Sequence, residues 1–255
     1  MMNIVVILKQ TMDLEEQVTI EGLKIDNENV ELILNPYDEY AVEEAVKLKE
    51  EHGGGVTAIT FGKPEAESAL RTALAMGADK AILVEQEREL DESSIAKILA
   101  AAIRDNEFDI ILGGNMSVDN GASQVGPRVA EELDIPHIST LTKLDIDGEN
   151  VRAERDSEGD VEIVESMLPI LVTAQQGLNE PRYPSLPNIM KAKKKPLEKV
   201  DIEDLGLEEV VSKVRSTVVD LYQPPKKKKG RIFAGDLRQQ VQKLVRLLHE
   251  EEKVV

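Results

Sequence analysis

Apolar and polar positions along the first 142 residues alternate between two patterns. Short continuous apolar runs are typical of strands buried on both faces, and segments with apolar residues every three or four positions are typical of amphipathic helices. The first pattern predicts strands at residues 3–8, 56–61, 80–84, 109–113 and 136–141. The second predicts helices over residues 35–52, 64–76, 92–105 and 121–133.

This strand–helix repeat with short connections predicts a parallel α/β sheet that carries helices on both faces. Ligands bind such sheets at the carboxyl ends of the strands, near a switch in strand order. The first candidates for a site are therefore the residues that follow strands: Leu8 and Lys9, Phe61 and Gly62, and the segment after Gly113.

The pattern changes after about residue 145. Alternating apolar and charged residues over 149–164 predict a hairpin, and 167–174 is a further apolar strand. Residues 175–196 are rich in Pro and Asn and have no periodicity, so we expect no regular element there.

The C-terminal part of the chain is irregular. Residues 200–225 are acidic, 226–229 are four Lys that we interpret as solvated, and 236–253 are predicted to form an amphipathic helix. We predict a nucleotide-binding α/β domain over 1–200 and an extension over 201–255. A long irregular extension is expected to lie on another molecule.

Composition excludes several classes of function. The 255 residues include 49 Asp and Glu against 31 Lys and Arg, which gives a net charge of −18 and argues against general nucleic-acid binding. The absence of Cys excludes disulfides, thiolate metal sites and cysteine nucleophiles. No apolar run approaches the roughly 18–20 residues of a membrane span. The first residues do not resemble a signal peptide, so we expect a soluble, cytoplasmic, prokaryotic protein.

The segment after the fourth strand, GGNMSVDNGASQVGP at 113–127, is the first candidate for ligand binding. Its glycines would let backbone N–H groups approach an anion, and the following helix N-terminus adds partial positive charge. The alternative is an ordinary connection made of turn residues, because the segment is neither a Walker A nor a GxGxxG loop.

The second candidate is Asn35-Pro36-Tyr37-Asp38, which opens the first helix. Asp38 can cap this helix, and capping alone would explain the motif. The functional alternative is that backbone groups here contact an adenine or a ribose. On the helix itself, the charged residues that we expect to face water are Glu39, Glu43, Glu44, Lys47 and Glu50.

The third candidate covers residues 178–196. Prolines space the bulky apolar residues Tyr183, Leu186, Ile189 and Met190, and four Lys follow within five positions. A solvated linker would explain this composition. Apolar anchors ringed by lysines would equally fit a protruding contact with an acidic partner. No carboxylate pair, Ser-His-Asp set or metal-ligand spacing stands out, so we assign no catalytic residue and no metal site.

Four stretches resemble the β subunit of electron transfer flavoprotein, in that family's order. They are NPYDEYAVEEAVKLKE at 35–50, LRTALAMGADKAILVE at 70–85, GGNMSVDNGASQVGPRVAEEL at 113–133 and LNEPRYPSLPNIMKAKKKP at 178–196. The last is long and highly specific. The resemblance covers nearly the whole chain.

The resemblance implies a Rossmann-like, adenine nucleotide α-hydrolase-like fold in a heterodimer with a larger α subunit, which holds most of the FAD. It implies an electron carrier and not an enzyme. The carrier would accept electrons from acyl-CoA dehydrogenases in fatty acid β-oxidation and pass them through the electron transfer flavoprotein–quinone oxidoreductase toward the respiratory chain. The β subunit of most members buries an AMP with a structural role.

The resemblance also implies roles for individual residues. Its recognition loop for dehydrogenases falls on 174–196, where Leu186 matches the anchoring leucine beside Ile189 and Met190, and Lys191 and Lys194 match lysines that are methylated in some relatives. Asp156 stands where many relatives have a Glu that pairs with an arginine of the α flavin domain. The positions that match the AMP-binding segments are Ile7, Asn35, Pro36, Tyr37, Asp38, Phe61, Gly114, Asn115, Met116, Ser117, Val118, Asp119, Asn120, Gly121, Ala122, Ser123, Gln124 and Val125.

One departure keeps a second cofactor open. Many AMP-binding members have a run of acids followed by Asn-Gln-Thr around Asp119, whereas this chain has Gln-Val-Gly-Pro at 124–127. That version also occurs in electron-bifurcating relatives, in which a second FAD replaces AMP and NADH supplies a hydride. We expect AMP, because the intact recognition loop fits a dehydrogenase partner. The sequence also leaves open a stand-alone adenine-nucleotide-binding regulator of the universal-stress type and a structural scaffold whose loop binds nothing.

Overall fold

A computed structural model of the chain describes residues 1–13, 19–26, 30–104, 106–223, 225 and 230–254. The chain divides into two compact units, Met1–Asp220 and Leu221–Val255. The lysine run at 226–229 lies outside the described residues. Within the described part, no helix is both long enough and apolar enough to cross a membrane.

Thirteen strands and seven α-helices form within the described residues. The strands are β1 (Met2–Ile7), β2 (Gln10–Met12), β3 (Thr19–Glu21), β4 (Lys24–Asp26), β5 (Leu32–Leu34), β6 (Gly54–Gly62), β7 (Lys80–Glu85), β8 (Ile110–Gly114), β9 (His137–Asp147), β10 (Asn150–Ser157), β11 (Asp160–Met167), β12 (Ile170–Ala174) and β13 (Leu197–Asp201). The helices are α1 (Pro36–His52), α2 (Glu67–Met76), α3 (Glu92–Arg104), α4 (Val125–Leu133), α5 (Leu186–Ala192), α6 (Glu208–Ser212) and α7 (Leu237–Glu250).

Nine strands form one sheet in the order β11-β10-β9-β12-β8-β1-β6-β7-β13. The seven strands from β9 to β13 in this order run parallel, which confirms the predicted α/β class, and β10 and β11 extend the sheet as the predicted antiparallel hairpin. From β1 the chain moves outward through β6 and β7 and then returns to the other side of β1 as β8. The carboxyl ends of β1 and β8 therefore flank a switch in strand order.

Aliphatic side chains form a core on both faces of this sheet. Because successive strand residues point to opposite faces, Val6 and Leu112 pack with α1 and α2, whereas Val5 and Ile111 pack with α3 and α4. Both central strands are thus buried on two sides, which explains their continuous apolar sequences.

Four elements differ from the sequence prediction. The helix predicted over 121–133 begins only at Val125, because Gly121 and Ser123 have φ angles of 61° and 53°, which a right-handed helix does not contain. The stretch 175–196 contains the short helix α5, whose start is marked by the Ser185 side chain accepting from the Asn188 N–H at 3.4 Å. The stretch after 200 contains α6, and β13 adds an edge strand beside β7.

The first compact unit also extends past residue 200, because Asp91 holds the chain that follows α6. Its carboxyl accepts hydrogen bonds from the backbone N–H groups of Ser94 at 2.9 Å, Arg215 at 2.6 Å and Ser216 at 3.1 Å. Burial by itself would raise the pKa of Asp91, but the hydrogen bonds to Ser94, Arg215 and Ser216 outweigh it and hold the pKa at about 2.

Leu112→Ala tests whether this sheet supplies the stability of the fold. Leu112 is fully buried in β8, so the cavity should lower the free energy of unfolding by about 2–5 kcal/mol. The matched control is Leu23→Ala, at a leucine that is 52% exposed beside β4, and it should change stability by no more than about 0.5 kcal/mol. Urea unfolding followed by circular dichroism measures both. Equal losses in the two variants would contradict the assigned core.

Candidate functional site

A pocket opens at the switch in strand order, between the carboxyl ends of β1 and β8. The start of α1 and the segment after β8 provide polar groups, whereas the neighbouring strands and α3 provide apolar walls. Most of the residues that the sequence nominated for cofactor binding line this pocket; the exceptions are Pro36, Tyr37, Val118, Asp119 and Gly121. Folding thus brings together the carboxyl ends of the strands, the start of α1 and the segment after β8.

Several lining residues are not among the positions that the resemblance assigned to cofactor binding. Leu8 and Lys9 were candidates only because they follow β1, and the structure places both in the lining of the pocket. Ile95 and Leu99 of α3 and Leu171 of β12 are distant in sequence from the segment that follows β8, and only the topology of the sheet brings them to the pocket. No sequence signal points to them. The additional lining residues include Leu8, Lys9, Glu92, Ile95, Leu99 and Leu171.

The carboxyl of Asp38 joins three elements beneath the pocket. It accepts a hydrogen bond from the Lys9 N–H at 2.6 Å and another from the Gly114 N–H at 2.9 Å. Asp38 is itself in the first turn of α1, so it ties this helix to the ends of β1 and β8. The expectation that Asp38 caps α1 was wrong, because α1 has no side-chain cap and the carboxylate points at the neighbouring strands instead.

This arrangement changes the acidity of Asp38. Burial raises its pKa to about 7, against the hydrogen bonds from Lys9, Asn35 and Gly114, which favour the charged form. Gly114 is required for the contact, because a Cβ at this position would overlap the Asp38 carboxyl and the Tyr37 backbone.

Asn35 fixes the segment that follows β8. This buried side chain donates to the Met116 carbonyl at 2.9 Å and accepts from the Val118 N–H at 3.1 Å. Within the segment, the Asn120 side chain accepts from the Ser117 hydroxyl at 2.8 Å and from the Ala122 N–H at 3.2 Å. The backbone of the segment is therefore held by side chains before it enters α4.

The pocket combines features that suit a planar, phosphorylated ligand. Ile7, Phe61, Ile95 and Leu171 give it apolar walls against which a flat ring can lie. The first N–H groups of α4, beginning at Val125, have no partner within the helix and are available to an anion. Within the described residues, no group of three or more His, Asp or Glu could hold a metal ion.

A second surface is formed by residues 178–196. Its first half is fastened to α1: the Arg182 guanidinium makes ion pairs with Glu43 at 2.8 Å and with Glu50 at 2.7 Å, and the Asn179 amide donates to Glu44 at 2.9 Å. The expectation that Glu43 and Glu44 face water was wrong, because both are buried beneath this segment. The pairing raises the pKa of Arg182 and, through Arg182, lowers the pKa of Glu50.

The second half of this surface is fastened to α2. The Lys195 ammonium donates to the backbone carbonyls of Leu74 at 2.9 Å and Ala78 at 2.5 Å. Arg71 donates to the carbonyls of Ala192 at 2.9 Å and Lys195 at 3.0 Å. Burial lowers the pKa of Lys195. Lys195 is therefore a structural lysine, in contrast to its neighbours in the basic cluster.

Between these two fastenings, α5 presents apolar side chains to solvent. Leu186 is 79% exposed and Met190 is 63% exposed, with Ile189 exposed beside them. Lys191 and Lys194 are exposed at the end of the helix. Asp156 lies elsewhere, as an exposed residue of β10 opposite Val161.

Comparison with known proteins identifies similar chains. The family model described as "Electron transfer flavoprotein domain" matches residues 22–205. The chain is 54% identical to the electron transfer flavoprotein subunit beta of Bacillus subtilis, over 257 positions that cover the whole of both chains. It is 43% identical to the subunit of the same name from Syntrophomonas wolfei, over 77% of this chain and 78% of the relative. It is 36% identical to that of Mus musculus, over 88% of this chain and 90% of the relative.

Asp38→Asn is expected to remove a pH dependence of stability. Because the pKa of Asp38 is about 7 in the folded chain and about 4 when unfolded, only the folded state keeps this proton between those values. The free energy of unfolding should therefore fall as the pH rises from about 4 to about 7, by up to about 1.4 kcal/mol per pH unit from this group.

Urea titrations across that range compare the slopes of the wild type, Asp38→Asn and the exposed control Asp160→Asn. Because the Asn side chain has a single acceptor oxygen, the variant loses one hydrogen bond from a backbone N–H, which lowers its stability by a similar amount at every pH. Its slope should be smaller than that of the wild type, because the titrating carboxyl is gone. The control should keep the wild-type slope. A wild-type slope in Asp38→Asn would refute the raised pKa.

Proposed function

This chain belongs to the electron transfer flavoprotein family, as a β subunit; from that premise we propose that it binds AMP between β1 and β8, pairs with a larger α subunit and docks acyl-CoA dehydrogenases through α5. It is an electron-transfer subunit and not an enzyme. The FAD, held mainly by the α subunit, supplies the redox chemistry. The residues of this chain bind, position and dock.

One observation carries the AMP proposal: the segments nominated for AMP by resemblance meet in a single pocket at the switch in strand order. The apolar walls contributed by Phe61 and Ile95 suit the adenine ring. The polar groups at Asn35 and at the start of α4 suit ribose and phosphate. The ligand would fill the pocket at the ends of β1 and β8 and would thereby stiffen the base of the heterodimer.

Docking through α5 is supported by two features: its apolar side chains are exposed, and its backbone is held in place. Leu186 and Met190 point into solvent, yet the backbone that carries them is fixed by Arg182 on one side and Lys195 on the other. A pre-organised anchor loses little conformational entropy on binding, so a small apolar contact suffices for recognition. Lys191 and Lys194 beside the anchor would attract acidic partner surfaces. Electrons would then pass through the quinone oxidoreductase to the respiratory chain.

Contact with the α subunit is supported by the second compact unit. Helix α7 has an apolar stripe formed by Leu237, Val241, Leu244 and Val245, and all four side chains are exposed. Monomeric proteins rarely leave such a stripe open, and the larger subunit is the occupant that the family provides. We further assign Asp156 to the α flavin domain, where its carboxylate would meet an arginine.

Release of bound compounds tests the cofactor. The heterodimer, purified after co-expression with its α subunit, is denatured, and the released compounds are separated by chromatography. We expect one FAD and one AMP per heterodimer. Two FAD would favour the electron-bifurcating type, and the absence of any adenine compound besides one FAD would refute the AMP assignment.

Leu186→Ala tests docking. Truncation of an exposed anchor that becomes buried on binding should weaken dehydrogenase-coupled reduction by at least about tenfold, which corresponds to roughly 1.4 kcal/mol or more of binding free energy. The FAD content should stay at the wild-type level. The control is Leu23→Ala, also an exposed leucine, which should leave coupling unchanged. Wild-type coupling in Leu186→Ala would rule out α5 as the docking element.

A further inference from the structure

Lys9 is the only basic side chain among the described residues that line the pocket. Its ammonium forms an ion pair with the Asp119 carboxylate, at 2.8 Å to Oδ1 and 2.7 Å to Oδ2, and lies 3.3 Å from the Ser117 hydroxyl. Ser117 also lines the pocket, and both partners belong to the segment that follows β8. The cation therefore stands at the junction of β1 and the glycine-containing segment.

The backbone of Lys9 is fixed more firmly than that of an ordinary surface lysine. Its N–H donates to the buried Asp38 carboxyl at 2.6 Å, and its carbonyl accepts from the Asn35 N–H at 3.0 Å. Both partners are buried at the start of α1. Two hydrogen bonds to buried residues thus fix the backbone of this lysine.

An anionic ligand needs such a cation in this chain. The net charge of −18 repels phosphates at long range, and two carboxylic acids, Asp38 and Glu92, line the pocket as well. Asp38 is engaged by the N–H groups of Lys9 and Gly114, and Glu92 accepts from the Asn120 amide at 3.4 Å. Backbone N–H groups at the start of α4 supply only partial charges, so among the described lining residues Lys9 alone offers a full positive charge.

Building on the proposed function, we propose that Lys9 is the residue by which the pocket selects a phosphorylated adenine compound over an unphosphorylated one. The phosphate replaces the Asp119 carboxylate as the partner of the ammonium. Asp119 competes with the ligand for Lys9 and thereby sets the affinity. An exposed ion pair of this kind contributes little to stability, so exchanging its partner costs the fold little.

The test uses the heterodimer, freed of nucleotide by reversible unfolding in urea, and titrates it calorimetrically with AMP and with adenosine. The wild type should bind AMP at least tenfold more tightly than adenosine, because a charge-assisted hydrogen bond forms only with AMP. In Lys9→Met this preference should fall to threefold or less while the affinity for adenosine stays unchanged. Lys9→Arg should restore the preference.

Two further variants separate local from general charge effects. Lys80→Met removes the same charge at the amino end of β7, whereas the pocket lies at the carboxyl ends of β1 and β8. This variant should keep the wild-type preference, because solvent screens charges at that distance. Asp119→Asn removes the competitor and should raise the affinity for AMP at least threefold without changing that for adenosine. An unchanged affinity for AMP in Asp119→Asn would overturn the competition.

The outcomes distinguish a failure of the proposed nucleotide pocket from a failure of the proposed role of Lys9. If the wild type binds neither AMP nor adenosine, the nucleotide pocket itself is refuted, and Lys9 selects nothing. If the wild type binds AMP and Lys9→Met keeps the same preference over adenosine, the pocket stands and the role of Lys9 is refuted. A preference that is lost equally in Lys80→Met would show a general effect of charge and would also refute it.

Discussion

The carboxyl of Asp38 is the point at which the sheet and its pocket are held together. Parallel strands are joined by their ladder hydrogen bonds and by the helices that cover them, and at a switch in strand order a crevice opens beyond the carboxyl ends of the strands. Asp38 lies at that crevice and accepts from Lys9, just after β1, and from Gly114 at the end of β8. Burial without those two donors would be costly for a carboxylate, so the contact depends on both strands ending in register. The paired positions Ile7 and Gly113 provide this register.

Helix α1 connects the pocket to the surface formed by residues 178–196. Its first turn carries Asp38, and its later turns carry Glu43, Glu44 and Glu50, which hold the segment before α5 through Arg182 and Asn179. A buried ion pair is weak support for stability, because desolvation offsets its attraction. Its value here lies in geometry, since the forked guanidinium meets two carboxylates and fixes the direction in which the chain leaves the sheet. A rigid helix that serves both surfaces keeps them in a constant relation.

The sequence predicted the features that depend on local periodicity and on turn chemistry. Buried strands such as β1 and β8 were recognisable from their continuous apolar runs, and the candidate pocket followed because carboxyl strand ends share one edge of a parallel sheet. Contacts between distant segments could not be predicted. Nothing near Glu43 in the sequence indicates that Arg182 will cover it, so a charged residue on an amphipathic helix was expected to face water. The same limit hid β13, whose place at the sheet edge is decided by pairing with β7.

The pocket and α5 have in common that each depends on a rigid backbone. A carrier that breaks no bonds gains nothing from a strained or reactive site. Under the proposed function, it would present one anchor to a partner while the flavin of the neighbouring subunit remains free to approach. A long flexible loop would lose ordering entropy at every encounter, whereas α5 is held at both ends before a partner arrives. In the proposed docking, the short apolar anchor would limit the area of contact, which would favour rapid dissociation after transfer. The proposed adenylate at the ends of β1 and β8 would serve the same end, because it would stiffen the sheet from which α1, and through α1 the proposed anchor, takes its position.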